Sequence, residues 1–175
     1  GRCHENGAFQ YNGKNYSAKS TEEIKAILNG DDTQNQDTYA AVSHCKPILT
    51  QSFSGVETYY QPFIEALKKD SSEILSEIKN SGVRGRGGAG FPAGMKLEFC
   101  RNVVNETKFI ICNADEGDPG AYSDRYLLEQ RPHAVLLGMI ITGYIIGSAT
   151  GVLYIRGEYP ESIDIIEDEL GKLLE

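Results

Sequence analysis

Residues 132–155 read PHAVLLGMIITGYIIGSATGVLYI, without one Asp, Glu, Lys or Arg. A single helix of that length could span a bilayer. Two features argue against one helix. Gly147-Ser148-Ala149-Thr150-Gly151 interrupts the run, and Gly151-Val152-Leu153-Tyr154-Ile155 has the β-branched and aromatic make-up of a short buried strand. The stretch therefore predicts a buried helix over 132–146 and a strand over 151–156, with the glycines at 138, 143 and 147 permitting close helix–sheet packing.

On its N-terminal side, Lys108-Phe109-Ile110-Ile111-Cys112 reads as another buried strand, and a helical turn begins over 125–130. On its C-terminal side, Pro160 opens an acidic amphipathic helix with Ile163, Ile166, Leu170 and Leu173 inward. Upstream lie a short strand around 40–44, a helix near 62–69, and a second helix capped by Asp70 with Glu73, carrying Ile74, Leu75 and Ile78 on one side. Strands alternating with helices predict an α/β domain with a parallel sheet. Further upstream, residues 8–16 form two strand-like runs around Asn12-Gly13, a strong hairpin signal. Ser20 and Glu23 then make a capping box for a helix carrying Ile24, Ile27 and Leu28. Residues 29–37 hold nothing apolar to bury and read as linker. The expected organisation is thus a small unit at 1–30, a linker at 31–38 and the main domain at 39–175.

The 175 residues (19.2 kDa) carry 17 Lys and Arg against 25 Asp and Glu, a net charge of −8. No chain-wide basic surface exists to neutralise a nucleic-acid backbone, so nucleic acid is excluded as the expected partner. Cys3, Cys45, Cys100 and Cys112 include no pair at zinc or thioredoxin spacing, and they read as reduced thiols in a cytosolic protein. The chain opens on Gly1 rather than Met, which reads as a piece of something longer. His4, His44 and His133 are scattered and form no nucleophilic constellation. His133, beside Pro132, reads as a helix-start residue.

Between 82 and 94, six positions are glycine: Gly82, Gly85, Gly87, Gly88, Gly90 and Gly94. Such a backbone can present consecutive N–H groups to an anion and let a flat ring lie against the main chain. Gly85, Gly87 and Gly90 satisfy the dinucleotide spacing, but a helix ending near Asn80 precedes them where the fingerprint needs a strand. No Gly-Lys-Ser/Thr follows, so it is not a P-loop. Lys79, Arg84, Arg86, Lys96 and Arg101 face only Glu98 across 79–101, a local +4 that suggests an anionic ligand. A second constellation, Asn113 to Gly120, follows the strand at 108–112, where open α/β sheets place ligands. Asp115, Glu116 and Asp118 suit ribose hydroxyls or an amide, a divalent cation, or a solvated acidic turn. The strand at 152–156 ends likewise in Arg156-Gly157-Glu158-Tyr159-Pro160, so the two strand ends and the glycine loop make one pocket.

Three motifs in order, Gly85-Arg86-Gly87-Gly88-Ala89-Gly90-Phe91-Pro92, then Asn113 to Gly120, then Tyr154 to Pro160, resemble the FMN- and NADH-binding subunit of complex I and the diaphorase subunits of NAD-linked hydrogenases and formate dehydrogenases. The resemblance covers roughly residues 40–175. It implies a Rossmann-like FMN-binding domain, incomplete at its C-terminus, that transfers hydride between NAD(P)H and FMN and passes electrons to iron–sulfur clusters. Those clusters would belong to the full-length protein or to partner subunits, among them a thioredoxin-like [2Fe–2S] subunit. It also implies FMN contacts at Gly85, Arg86, Gly87, Gly88, Lys96, Asn113, Asp115, Glu116 and Tyr159, and NADH contacts at Phe91, Phe99 and Asp118. Where relatives have Lys-Trp, this chain has Lys96-Leu97. Residues 3–28 resemble the end of a thioredoxin-like [2Fe–2S] domain, with Cys3 in the place of its last cluster ligand. The other ligands would precede Gly1, so no cluster is expected on this chain alone. The reading places the protein in the cytoplasm, at most peripheral to a membrane complex, and expects the chain alone to bind FMN weakly and be inactive. A scaffold docking an iron–sulfur partner is the alternative of another class.

Overall fold

The computed structural model describes residues 7–31 and 44–174. The strand expected around 40–44 falls almost wholly outside these residues, as do Cys3, His4 and most of the linker. The N-terminal unit follows the sequence closely. Strands β1 (Phe9–Tyr11) and β2 (Lys14–Tyr16) pair antiparallel across Asn12-Gly13, both in the left-handed region that a two-residue turn demands. Phe9 stacks on Tyr16 at 5.3 Å. Helix α1 (Thr21–Leu28) carries the full capping box between Ser20 and Glu23, and it buries Ile27 but leaves Leu28 exposed.

The main body begins with α2 (Val56–Ala66), which starts earlier than expected and keeps Pro62 within it. Helix α3 (Ser71–Ser81) is capped by the Asp70 side chain through Ser72 N, and Gly82 ends it in the left-handed conformation. After the glycine loop comes α4 (Ala93–Asn102), an element that the periodicity did not announce. Helices α3 and α4 form an antiparallel pair: Lys79, near the end of α3, meets Glu98 at 2.9 Å, while Arg101 reaches Ser71 at the start of α3. Gly94 makes this pairing possible, because a Cβ there would lie 2.5 Å from Lys79 Cγ and 2.9 Å from Lys79 Cα.

Strand β3 (Phe109–Ala114) leads through α5 (Ser123–Gln130) and α6 (Pro132–Ile146) to β4 (Thr150–Ile155), which pairs parallel with β3 in the register Ile111 with Val152 and Asn113 with Tyr154. Helix α7 (Pro160–Leu174) closes the chain. This strand–helix–strand unit is the α/β architecture with a parallel sheet that the sequence predicts. A Cβ at Gly143 would lie 3.1 Å from Ser148 O, so this glycine makes room for the turn that follows α6 rather than for the sheet, whereas Gly147 is the left-handed end of α6 and Gly138 has open space around it. Neither strand is buried on both faces as its composition suggested. Phe109, Ile111, Val152 and Tyr154 are exposed, because helices cover only one side of the two strands.

Two core clusters hold the layers together. Ile74 and Leu75 of α3 pack with Ile145 and Ile146 of α6, each buried side chain contributing about 1.5–3 kcal/mol. Ala114, Leu128 and Ile166 join β3, α5 and α7. Ile166 is the buried anchor of α7, while Leu170 keeps 38% of its surface exposed. Cations finish the helix ends: Arg101 donates to Ile145 O, and Lys108 donates to Ile146 O and Arg101 O. These are carbonyls that a helix terminus leaves without an internal partner. Among the described residues no helix is long and apolar enough to cross a membrane.

Candidate functional site

The bonds at Arg101 and Lys108 place the C-termini of α4 and α6 together at the start of β3. Since α4 packs against α6 and rises about 1.5 Å per residue, its N-terminus and the glycine loop ahead of it lie toward the opposite end, where β3 and β4 terminate. One end of the domain thus gathers the glycine loop, the segment 115–120 and the segment 156–160.

The six glycines divide by role. Gly82 ends α3 and Gly94 admits α3 against α4, both structural duties. Gly85 N donates to Phe91 O at 2.9 Å, and Arg84 bridges to Pro92, so the loop is a closed, hairpin-like turn. At its tip Gly87, Gly88 and Gly90 have nothing within 4 Å of a would-be Cβ, and Gly88 and Gly90 adopt positive φ. The tip is bare backbone facing open space. Of the five local cations, Lys79 pairs with Glu98, Arg84 donates to Gly90 O, and Arg101 is spent on Ser71 and Ile145 O. Arg86 and Lys96 remain exposed, with no side-chain partner among the described residues. Phe91 and Phe99, 46% and 56% exposed, stand 6.4 Å apart as a tilted aromatic pair just after the loop.

The acidic segment is more divided than its sequence. Asn113 accepts from Asp115 N, which turns the chain at the strand end. Glu116 points back into the structure. Its carboxylate accepts from Ser123 N, Ser123 Oγ, Asp124 N and Arg125 N, the first N–H groups of α5. It is the cap of a helix that has none from its own N-cap residue, Tyr122. The side chains of Asp115 and Asp118 stay exposed. Burial, then the Glu116 charge, pushes the Asp124 carboxyl above its ordinary range.

On the other strand end, Tyr159 is only 2% exposed. Its hydroxyl donates to Glu116 at 3.4 Å, and the guanidinium groups of Arg125 and Arg156 lie 5.3 and 5.8 Å from its ring centre. Burial first, then Glu116, raises the Tyr159 phenol. Arg156 also donates to Glu116 O and holds Glu158 by two bonds of 2.7 and 2.8 Å. Those bonds depress the Glu158 carboxyl to about 2. Two further residues belong to this end. Tyr154, 58% exposed, stands beside Asn113 on the uncovered sheet face, a placement that strand alternation encodes. Arg125 is fully buried beneath Tyr159, and only its spacing from Glu129 hinted at this.

His133, at the start of α6, is buried between Tyr60 Oη at 3.1 Å and Glu169 at 2.8 Å. It ties α2, α6 and α7. Among the described residues no three His, Cys, Asp or Glu side chains are grouped to hold a metal. The arrangement is instead suited to an anionic, flat-ringed ligand: bare backbone and two unspent cations on one side, strand-end polar groups on the other.

Comparison with known proteins agrees with this geometry. The family model of the Nuo51 FMN-binding domain matches residues 78–174. The chain is 47% identical over 103 residues to the alpha chain of the NAD-reducing hydrogenase HoxS of Cupriavidus necator, covering 59% of this chain and 17% of that one. It is 45% identical over 104 residues to the HndC chain of the NADP-reducing hydrogenase of Solidesulfovibrio fructosivorans, covering 59% and 21%. It is 44% identical over 100 residues to a chain of the NADH-quinone oxidoreductase of Rhizobium meliloti, covering 57% and 24%. The crystal structure of an NAD+-reducing [NiFe]-hydrogenase in the air-oxidized state superposes with a TM-score of 0.78 at 31% identity, over 95% of this chain and 30% of that chain. The chain therefore spans less than a third of the length of these relatives.

Proposed function

The chain belongs to the family of the Nuo51 FMN-binding domain, and from that premise we propose that it forms the FMN-holding part of a subunit exchanging hydride between NAD(P)H and FMN. The observation that carries this is the loop tip at Gly87, Gly88 and Gly90, where the main chain is uncovered and a side chain would take the space of a ligand. The residues present fit the cofactor. Gly85, Gly87 and Gly88 offer backbone to the ring system, Arg86 and Lys96 supply unspent positive charge for the phosphate, and Asn113 and Asp115 stand at the strand end for polar edges. Glu116 and Tyr159 act on the site through the loops they fix, since their side chains are turned to α5 and to each other. Phe91 and Phe99 give exposed aromatic surface for the nicotinamide nucleotide, with Asp118 as its hydrogen-bond acceptor. FMN, when bound, takes two electrons from a reduced nicotinamide and can pass them on singly, which suits iron–sulfur partners.

The β1–β2–α1 unit is the end of a thioredoxin-like iron–sulfur domain in this proposal, with residues 31–38 as linker and 39–175 as the flavin domain. Its support is the hydrogenase superposition, which extends over 95% of the chain rather than over the family match alone.

The test is a titration of FMN fluorescence with the 175-residue chain and with its Gly87→Val variant. Saturable quenching by the wild type, weakened in the variant, is expected. No quenching by the wild type would overturn the proposal. Equal quenching by both would move the cofactor away from the glycine loop.

A further inference from the structure

Arg125 lies at the first turn of α5 with its side chain fully buried, and groups from several elements meet it among the described residues. Its Nε donates to Glu129 at 2.7 Å, and its Nη2 reaches Glu161 at 3.5 Å. Its guanidinium lies 5.3 Å from the Tyr159 ring centre, and its backbone N–H donates to Glu116. The surrounding bonds extend the set: Ser162, also fully buried, donates to Glu129 at 2.9 Å, and Asn15 of β2 reaches Glu161 at 3.3 Å.

A buried ion pair roughly breaks even on stability against apolar packing, so burial alone does not account for a cation here. What a guanidinium supplies is direction: a planar fork of donors that fixes several acceptors at once, which an ammonium cannot do. Here the acceptors belong to α5 and α7, and the ring belongs to the loop after β4. The loop after β3 is held to the same place by Glu116, which accepts from Arg125 N and Tyr159 Oη. We propose that Arg125 is a positioning residue whose guanidinium, held by Glu129 and Glu161 beneath the Tyr159 ring, sets the orientation of the strand-end loop 156–160. This rests on the FMN reading for the identity of the ligand, but not for the positioning itself. The hairpin unit enters the same network through Asn15 and Glu161, so Arg125 also ties the N-terminal unit to the site.

The experiment compares the wild-type chain with Arg125→Lys and Arg125→Met by hydrogen–deuterium exchange, melting temperature and FMN titration. Arg125→Lys keeps the buried charge against Glu129 and loses the fork. It is expected to melt close to the wild type, to exchange faster in 156–162 with α3 and α4 unchanged, and to bind FMN roughly tenfold or more weakly, as misplaced contact groups do. Arg125→Met should show the same pattern more strongly. If Arg125→Met does not fold, the Lys variant decides alone. Wild-type exchange over 156–162 in Arg125→Lys overturns the proposal, as does a uniform rise across the chain, which would mean a merely structural cation. FMN affinity equal to the wild type overturns the link to the ligand. Should the wild type not quench FMN at all, the FMN reading falls, and the exchange pattern by itself upholds or overturns the positioning role.

Discussion

The carboxylate of Glu116, just past the end of β3, accepts a hydrogen bond from the hydroxyl of Tyr159, just past the end of β4, at 3.4 Å. One acidic side chain so joins the loops of two parallel strands, and the same carboxylate caps the helix that begins their crossover. The site is built on a shared acceptor rather than on two independent loops.

Glu116→Ala removes the acceptor from the first N–H groups of α5 and from the Tyr159 hydroxyl. Hydrogen bonds to a charged, partly buried group and the loss of a helix cap together should lower unfolding free energy by about 1–3 kcal/mol. Urea denaturation measures it. A change within about 0.5 kcal/mol would return Glu116 to a solvated turn.

Gly94 and Gly87 should behave in opposite ways. A methyl at Gly94 meets the Lys79 main chain, so Gly94→Ala must spread α3 from α4 and should cost about 1–3 kcal/mol of stability. Gly87 has open space and no left-handed backbone, so Gly87→Val should keep the circular dichroism and melting temperature of the wild type. Its expected loss is confined to FMN affinity. A destabilised Gly87→Val chain would mean that the loop is packed against something.

What the sequence announced well was local chemistry. Asn12-Gly13 and the Ser20 and Glu23 pair specify a turn and a cap through atoms a few residues apart, and both form as written. The buried helix from Pro132 to Ile146 was legible because Pro starts it and Gly147 ends it. Helix α4 was not, because its ten residues mix Met95, Leu97 and Phe99 with Lys96, Glu98 and Arg101 and give no clear apolar stripe. The acidic segment shows the deeper limit. Asp115, Glu116 and Asp118 are equivalent in composition, and only the fold brings Ser123 and Tyr159 to one of them. The resemblance singled out Tyr159 and passed over Tyr154, and only the strand register shows that Tyr154 is the exposed one, while Arg125 and Arg156 enclose Tyr159.

The Glu158 carboxyl gives a pH signature of the β4 loop. The hydrogen bonds from Arg156 hold it down to about 2 against an ordinary 4.5. A depressed folded value means that the pair favours the folded form above the unfolded pKa, with the contribution lost as pH falls from about 4.5 through about 2. Carbon-detected NMR should find this midpoint in the wild type, and Arg156→Gln should return it toward the ordinary carboxylate range. An ordinary midpoint in the wild type would show that the Arg156 and Glu158 fork does not persist in solution.

Asp118 makes no side-chain hydrogen bond or ion pair among the described residues. Asp115 and Asp118 are both exposed, but Asp115 follows the strand directly and feels the Arg156 charge, while Asp118 contributes only its main-chain oxygen, to Ala121 N. If it accepts a hydrogen bond from the nicotinamide nucleotide, as proposed, the charge strengthens that bond relative to a neutral amide acceptor. Asp118→Asn keeps the size and the acceptor and removes the charge. The difference between a charged and a neutral hydrogen bond is about 1–1.5 kcal/mol, or about tenfold in affinity. In the full-length subunit the variant should therefore raise the apparent NADH constant for bleaching of bound FMN about tenfold, with FMN affinity and melting temperature at wild-type levels. Loss of FMN affinity to the same degree would place Asp118 in the support of the loop rather than against the nucleotide. An unchanged NADH constant would leave Asp118 a solvated turn residue, and the nucleotide would then have to be held by Phe91 and Phe99, whose exposed rings offer the only other nucleotide contacts in the proposal.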